Sequence, residues 1–381
     1  MSDWVPLARA LRAACDRNER VALATLVATE GSAYRRAGAW MLVSENGVRH
    51  GLLSGGCLEA DVAERAGAAM ARGASELATY ATGDSDDLVW GLRMGCPGVV
   101  RILIEPLAGG DLAQAAAFFE RVRDVPENAT LATALPPARG RLLVTSSDAL
   151  ASSPGVGLPP GAAEEGRKRS SGLTATSGVE TIDGVELAFA PVSPRIRLLI
   201  CGAGDDALPV SALAAELGWD VLVADHRPAA ARPERFPGAR AVLVSRAEEI
   251  LTHVSGDSAR PGDNARTAAV VMTHNVDRDV EWAAALLPLD LAYLGFLGPK
   301  RRGDQVLETA RPLAAAVRAR HILSPAGLDI GSETPREIAL SIVAEISAAL
   351  SGRGGGPLAE RRAPIHEPVS EVAGPARPPR L

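Results

Sequence analysis

Two places in this 381-residue chain gather residue types that do chemistry. The first runs from Gly31 to Ala66, where a Gly31-Ser32 turn precedes the paired arginines Arg35 and Arg36, and Gly55 and Gly56 lead into Cys57. The two glycines remove side-chain bulk where the chain turns into a helix, and the spacing of Leu58, Val62 and Ala66 predicts that helix. Cys57 then stands at a helix N-terminus, where the positive end of the dipole favours thiolate. The competing reading is a cysteine that packs as a small hydrophobe. The second place is Cys201-Gly202-Ala203-Gly204-Asp205-Asp206-Ala207, between an apolar strand (Ile196 to Ile200) and a helix, with Asp225 closing the next strand 21 positions beyond Gly204. This is the G-x-G-x-x-A pattern of a Rossmann nucleotide-binding turn, in which glycines admit a pyrophosphate and the acid meets a ribose hydroxyl. Asp205 and Asp206 set two negative charges where the pyrophosphate would lie, so the pattern speaks for the fold more than for a dinucleotide. They suit a helix cap, a cation or an amine-bearing ligand equally well.

Further polar residues lie just past strand ends in the second half. His274 and Asn275 follow the strand Ala268 to Thr273, and Lys300, Arg301 and Arg302 follow Leu291 to Leu297. Open α/β sheets bind ligands at the carboxyl ends of their strands, which makes these five residues candidates. Three cations opening a helix oppose its dipole and suit the anchoring of a phosphate.

The elements that must position these residues can be read from periodicity. A helix over Trp4 to Cys15 and a strand, Val21 to Glu30, deliver the chain to Gly31. Asn46-Gly47 between two strand-like runs predicts a hairpin with positive φ at both central residues. After the helix that Cys57 opens, strands follow near Glu76 to Ala81 and Val99 to Leu107, separated by a turn-rich segment containing Asp84, Asp86, Asp87 and Cys96. An alanine-rich helix (Leu112 to Val122) and strands near Thr130 and Gly140 come next. Ser152 to Gly178 is rich in Pro, Gly and Ser and reads as a loop-like insert, with Arg167-Lys168-Arg169 as a solvated cluster. Strands around Val179 to Ile182 and Val185 to Val192 close the first half. The fold class expected is α/β: an N-terminal mixed α/β domain (1–193) followed by a C-terminal Rossmann-like, doubly wound parallel sheet (194–351). Thr334-Pro335 with Glu337 predicts a capped last helix, and the Pro/Gly/Arg-rich tail (352–381) reads as disordered.

Composition excludes several classes. A net charge of -6 with 3% aromatic residues argues against nucleic-acid binding, which needs a basic footprint and stacking surfaces. The four cysteines, Cys15, Cys57, Cys96 and Cys201, lack CxxC spacing, so neither a zinc site nor a disulfide scaffold is indicated and a reducing cytoplasm fits. No apolar run approaches a membrane span, and the amphipathic N-terminus lacks the apolar core of a signal peptide.

The stretch carrying Gly31-Ser32, Arg35-Arg36, Gly38, Asn46-Gly47 and Gly55-Gly56-Cys57-Leu58-Glu59 resembles the signature of the XdhC/CoxI family, accessory proteins of molybdenum hydroxylases. GAGDDA, ADHRP, MTHN, LGFLGPKRR and PAGLDIGSETPREIALSIVAEI are similar to its C-terminal half. In that family an aspartate-rich turn leads to a second glycine-flanked cysteine, and Cys96 resembles it, with Pro97 where glycine is expected. The resemblance implies a cofactor-binding chaperone rather than an enzyme. Such a protein binds the molybdenum cofactor (molybdopterin), holds it while a cysteine desulfurase installs the terminal sulfido ligand, and delivers it to an apo-hydroxylase. Arg35, Arg36, Lys300, Arg301 and Arg302 would then hold phosphate, and Cys57 or Cys96 would approach molybdenum or sulfur, with Cys57 as the metal-facing thiol. The competing class is an NAD(P)-dependent oxidoreductase using the Rossmann half. The sequence leaves a homodimer open.

Overall fold

The computed structural model describes residues 4–31, 34–82, 98–153, 158–171, 177–250 and 266–362. The chain forms two compact units that divide between Pro194 and Arg195.

The first unit opens with α1 (Trp4–Asp16), β1 (Val21–Gly31), β2 (Trp40–Ser44) and β3 (Arg49–Gly51), followed by α2 (Glu59–Arg72), β4 (Glu76–Thr82) and β5 (Gly98–Leu107). It continues with α3 (Gly109–Arg123), β6 (Ala129–Ala134), β7 (Arg141–Thr145), β8 (Ala149–Ser152), α4 (Gly161–Ser171), β9 (Gly178–Ile182) and β10 (Val185–Val192). The strands form two antiparallel sheets, ordered β3-β2-β1-β5-β4 and β8-β7-β6-β10-β9. β1 is buried without a break from Val21 to Val27 because both its faces are covered. Val21 and Leu23 face the α1 and α3 cluster of Leu7, Leu11 and Phe119, while Ala22, Ala24 and Leu26 meet Val62 and Ala66 of α2.

Three expectations are corrected in this unit. The Asn46-Gly47 hairpin forms, but only Gly47 has positive φ (77°), because the strands are joined by a longer turn with the left-handed residue near its end. The insert expected as loop contains α4, which buries Ala162, Gly166 and Ser170 against the second sheet. The Ser170 hydroxyl donates to the Val144 carbonyl at 2.8 Å, and a Cβ at position 166 would stand 3.1 Å from Val144. Arg169 is likewise no solvated loop residue. It pairs with Glu165 and Glu180 and lies 4.5 Å over the Phe189 ring.

The second unit comprises β11 (Arg197–Cys201), α5 (Ala207–Glu216), β12 (Asp220–Asp225), β13 (Ala241–Val244), β14 (Thr267–Val271) and α6 (Val276–Leu286). It ends with β15 (Tyr293–Phe296), α7 (Lys300–Ala310), β16 (Ile322–Leu323) and α8 (Pro335–Leu350). Its six strands pair in parallel in the order β13-β12-β11-β14-β15-β16. The chain thus winds outward from β11 to β13, then returns to build β14 to β16 on the other side. The reversal falls between β11 and β14, the position where doubly wound sheets open a ligand crevice. Thr334 caps α8 with both halves of a capping box. Beyond it the described chain continues to Arg362 through a short 3-10 turn at Leu358–Glu360, and residues 363–381 lie outside the described residues.

Candidate functional site

In the first unit, two described connections leave the same end of the first sheet: β1 to β2 and β3 to α2. The first carries Tyr34, Arg35 and Arg36 and is tied back to β1, since the Gly38 N–H donates to the Leu26 carbonyl and the Leu26 N–H to that of Ala39, each at 2.8 Å. The second carries Ser54 to Leu58. The apolar spacing predicts a helix beginning at Cys57, but α2 begins at Glu59, so Cys57 sits one residue before the N-cap, Leu58, on an irregular turn, and is exposed. What shapes that turn is Glu59, whose side chain is buried. Its Oε1 accepts the N–H groups of Leu53 (3.1 Å) and Ser54 (2.7 Å), and its Oε2 accepts the Ser54 hydroxyl (2.7 Å). Ser54 Oγ in turn accepts the N–H groups of Gly56 and Leu58, each at 3.2 Å. Burial would raise the Glu59 carboxyl, but these donors outweigh it and hold it below the ordinary carboxylate range. Gly56 adopts φ 109°, open only to glycine, with nothing within 4 Å of the space a side chain would take. The Tyr34 ring, 60% exposed, lies 3.9 Å from where a Cβ on Gly55 would be, so it flanks the turn that presents Cys57. Arg35 is half-buried and Arg36 exposed. Cys96 lies outside the described residues.

In the second unit, the turn after β11 and the turn after β14 face each other across the reversal. A Cβ on Gly202 would stand 2.6 Å from the Met272 carbonyl oxygen, which is why only glycine fits there. His274 Nε2 and Asp206 Oδ2 meet at 2.7 Å and bridge the two turns. His274 adopts φ 59°, an uncommon left-handed conformation for a residue with a side chain. Asn275 is exposed and caps α6, accepting the Arg278 N–H at 3.0 Å. Asp205 pairs with Arg235 at 2.6 Å, and the same guanidinium donates to the Ala203 carbonyl.

Asp225, at the position whose spacing suggests a ribose contact, is engaged by the protein's own donors. Its carboxylate is buried, with Oδ1 accepting the Arg227 N–H and Nε–H and Oδ2 accepting the Ala203 N–H and Arg227 Nη2. A carboxylate has about four acceptor positions, and protein donors take all of them. Although burial acts to raise it, Arg227 and the two backbone donors hold the Asp225 carboxyl at about 2. Arg302 is similarly engaged: its Nε and Nη2 donate to Oδ2 of buried Asp279 at 3.0 and 2.6 Å, and Asp279 Oδ1 accepts the Thr273 hydroxyl at 2.6 Å. Lys300 and Arg301 are exposed at the start of α7. Cys201 is fully buried, packs in the core, and burial pushes its thiol well up.

The structure therefore sorts the candidates into two groups, one per unit: Arg35, Arg36, Gly55, Gly56 and Cys57, and Gly202, Gly204, His274, Asn275, Lys300 and Arg301. Asp225 and Arg302 support the second group from behind. Tyr34, Ser54, Glu59, Arg227, Arg235 and Asp279 escape sequence reasoning as site components. Ser54 and Glu59 flank the Gly-Gly-Cys run at a spacing that would suggest a carboxylate reaching back to a turn. Among the described residues, no group of three or more His, Cys, Asp or Glu side chains is placed to hold a metal ion. No described helix is long and apolar enough to cross a membrane.

Comparison with known proteins gives concordant matches. Residues 14–81 match the XdhC and CoxI family model, and residues 198–346 match the XdhC Rossmann domain. The chain is 34% identical over 339 residues to a Bacillus subtilis protein named as a probable subunit of xanthine dehydrogenase, covering 88% of this chain and 95% of that one. It is 24% identical over 328 residues to the molybdenum cofactor insertion chaperone PaoD of Escherichia coli, covering 86% and 82% respectively. A crystal structure described as a xanthine dehydrogenase from Bacillus halodurans superposes with a TM-score of 0.71 at 28% identity, over 95% of this chain and 98% of that one.

Proposed function

Because this chain belongs to the XdhC and CoxI family, we propose that it is a carrier that takes up the molybdenum cofactor and delivers it to an apo molybdenum hydroxylase of the xanthine dehydrogenase or CO dehydrogenase type. The cofactor is cargo, a molybdopterin with a phosphate, a hydrogen-bonding pterin and a metal-dithiolene centre. The observation that carries the reading is the exposed Cys57 thiol, presented on a turn braced by buried Glu59 and flanked by the Tyr34 ring. A soft thiolate suits molybdenum or its sulfur ligands. Among the described residues the Cys57 thiol belongs to no group of three or more His, Cys, Asp or Glu side chains, which suits a metal that arrives already chelated by its own dithiolene. Arg35 and Arg36 in the first unit and Lys300 and Arg301 in the second offer charged donors for phosphate. Gly202, Gly204, His274 and Asn275 offer close backbone approach and hydrogen-bonding edges at the sheet reversal. A cysteine desulfurase supplies the terminal sulfur while the carrier holds the cofactor.

The dinucleotide alternative is disfavoured by Asp225, whose acceptor positions are filled, and by Asp205 and Asp206 at the turn. The test is transfer. Protein isolated from cells that make the cofactor is mixed with apo-hydroxylase and sulfide donor, and regained hydroxylase activity is followed with and without excess trap for free cofactor. Activity that survives the trap supports delivery by the carrier, and activity abolished by it overturns that reading.

A further inference from the structure

The first unit repeats itself. Its elements run α-β-β-β-α-β-β twice, and its two sheets have the same strand order once five is added to each number: β3-β2-β1-β5-β4 becomes β8-β7-β6-β10-β9. The correspondence extends to residues. Trp4, Leu7, Ala8, Leu11 and Ala14, buried on α1, recur on α3 as Leu112, Ala115, Ala116, Phe119 and Val122, all at one offset, 112 − 4 = 108. The following strands keep it, 129 − 21 = 108. Val21 lies opposite Ser44 on one side and Leu107 on the other, and its counterpart Ala129 lies opposite Thr145 and Val192. Five residues on, Leu26 faces Ile102 just as Ala134 faces Leu187. Ser44 Oγ accepts the Val48 N–H and Thr145 Oγ1 the Asp148 N–H, each at 3.1 Å, to cap equivalent turns. Val62, Ala66 and Met70 of α2 correspond to Ala162, Gly166 and Ser170 of α4, buried at the same spacing.

The two copies differ at one end. In the second, Asp183-Gly184 joins β9 to β10 directly, and Ala138, Leu158, Ile182 and Val185 pack onto Leu187 and Phe189. In the first, the equivalent end presents Tyr34, Arg36 and Cys57 to solvent. Glu59, three residues before Val62, corresponds to Pro159, three before Ala162. The module therefore folds without this carboxylate. A buried carboxylate that the scaffold does not require carries a desolvation cost, and its partners are the N–H groups and hydroxyl of the turn that only the first copy uses.

We propose that the first unit is a tandem duplicate of one module whose ligand-holding end survives only in the first copy, with Glu59 as the residue that positions the Gly55-Gly56-Cys57 turn for a thiol-seeking ligand centre. The identity of that ligand rests on the carrier reading; the positioning does not. The experiment uses full-length Glu59→Gln, Ser54→Ala and, at the equivalent end of the second copy, Arg139→Ala. Alkylation of Cys57, Cys15 and Cys201 by limiting iodoacetamide is followed by mass spectrometry without ligand, and pterin retention is measured on protein from cofactor-making cells. Loss of one or two net hydrogen bonds predicts a roughly tenfold change in the Cys57 rate in both first-copy variants, with Cys15 and Cys201 unchanged, and a similar loss of pterin. Arg139→Ala keeps the parent values. Cys57 rates within about twofold of the parent, or all three cysteines rising in step, overturn the positioning role. Pterin loss in Arg139→Ala equal to that in the first-copy variants overturns the confinement to one copy. A shifted Cys57 rate in a chain that never carries pterin supports the positioning role and refutes only the carrier reading.

Discussion

Replacing Asp225 with Asn separates a structural role from a ligand-binding one. In the structure this carboxylate joins the end of β12 to the glycine-rich turn through the Ala203 N–H and is saturated by Arg227. Its carboxyl lies at about 2, against an ordinary 3.8. At about 1.4 kcal/mol per pH unit, that gap corresponds to about 2 kcal/mol of folding stability. Because the folded-state value is the lower one, this stability is fully present above the ordinary value and is lost as the pH falls toward the folded value. Asn retains one acceptor for Ala203 but turns a donor toward Arg227, so the variant lacks this contribution at neutral pH. Urea unfolding of parent and Asp225→Asn at several pH values is the assay, and the difference between the two proteins cancels the other titrating groups. The expected difference is about 2 kcal/mol at pH 7, shrinking as the pH drops from about 4 toward 2. A variant as stable as the parent at pH 7, combined with NAD binding by the parent that the variant loses, would refute the reasoning and return Asp225 to the ribose.

Other expectations follow from the same contacts. Cys57, exposed on its turn, should react with limiting iodoacetamide faster than half-buried Cys15 and far faster than buried Cys201, whose thiol burial pushes well up; equal labelling of Cys57 and Cys201 would contradict the turn as described. Arg302→Ala strands the buried Asp279 carboxylate and should cost about 3 kcal/mol in thermal or urea unfolding, whereas exposed Arg301→Ala should stay within about 0.5 kcal/mol of the parent. If Arg301 anchors phosphate, its variant should instead lose roughly tenfold in pterin retention, and unchanged retention would remove it from the site.

Much of the second unit is legible in the sequence because its signals are local. An apolar strand, two glycines, a helix and an acid at the end of the next strand identify a β-α-β unit, and Asp225 does end β12. Its role is not legible, because spacing does not show that the Arg227 guanidinium folds back onto this carboxylate or that Arg235 reaches the turn through tertiary contacts. The same holds for Arg302, which reads as part of a cationic triplet although Asp279, on a different helix, takes its guanidinium. In the first unit the Gly-Gly-Cys turn is visible, but its helix begins two residues later than the apolar spacing implies, because the Glu59 side chain folds back onto Ser54. Helix α4 is hidden by its composition: Gly166 and Ser170 weaken helix propensity and are there because α4 packs close to β7. The repeat in the first unit shows in matched burial and strand register rather than in matched residue types, as where Leu7 and Leu11 of α1 stand at the positions of Ala115 and Phe119 of α3.

The measurement closest to the central claim is the pterin content of the purified chain. Full-length protein from cells that synthesise the molybdenum cofactor is passed through gel filtration, then oxidised to convert any bound molybdopterin to its fluorescent product, alongside Cys57→Ala at sub-saturating cofactor. A carrier predicts fluorescence eluting with the protein peak and depleted in the cysteine variant. A protein peak without fluorescence, from cells whose cofactor is abundant, would contradict it.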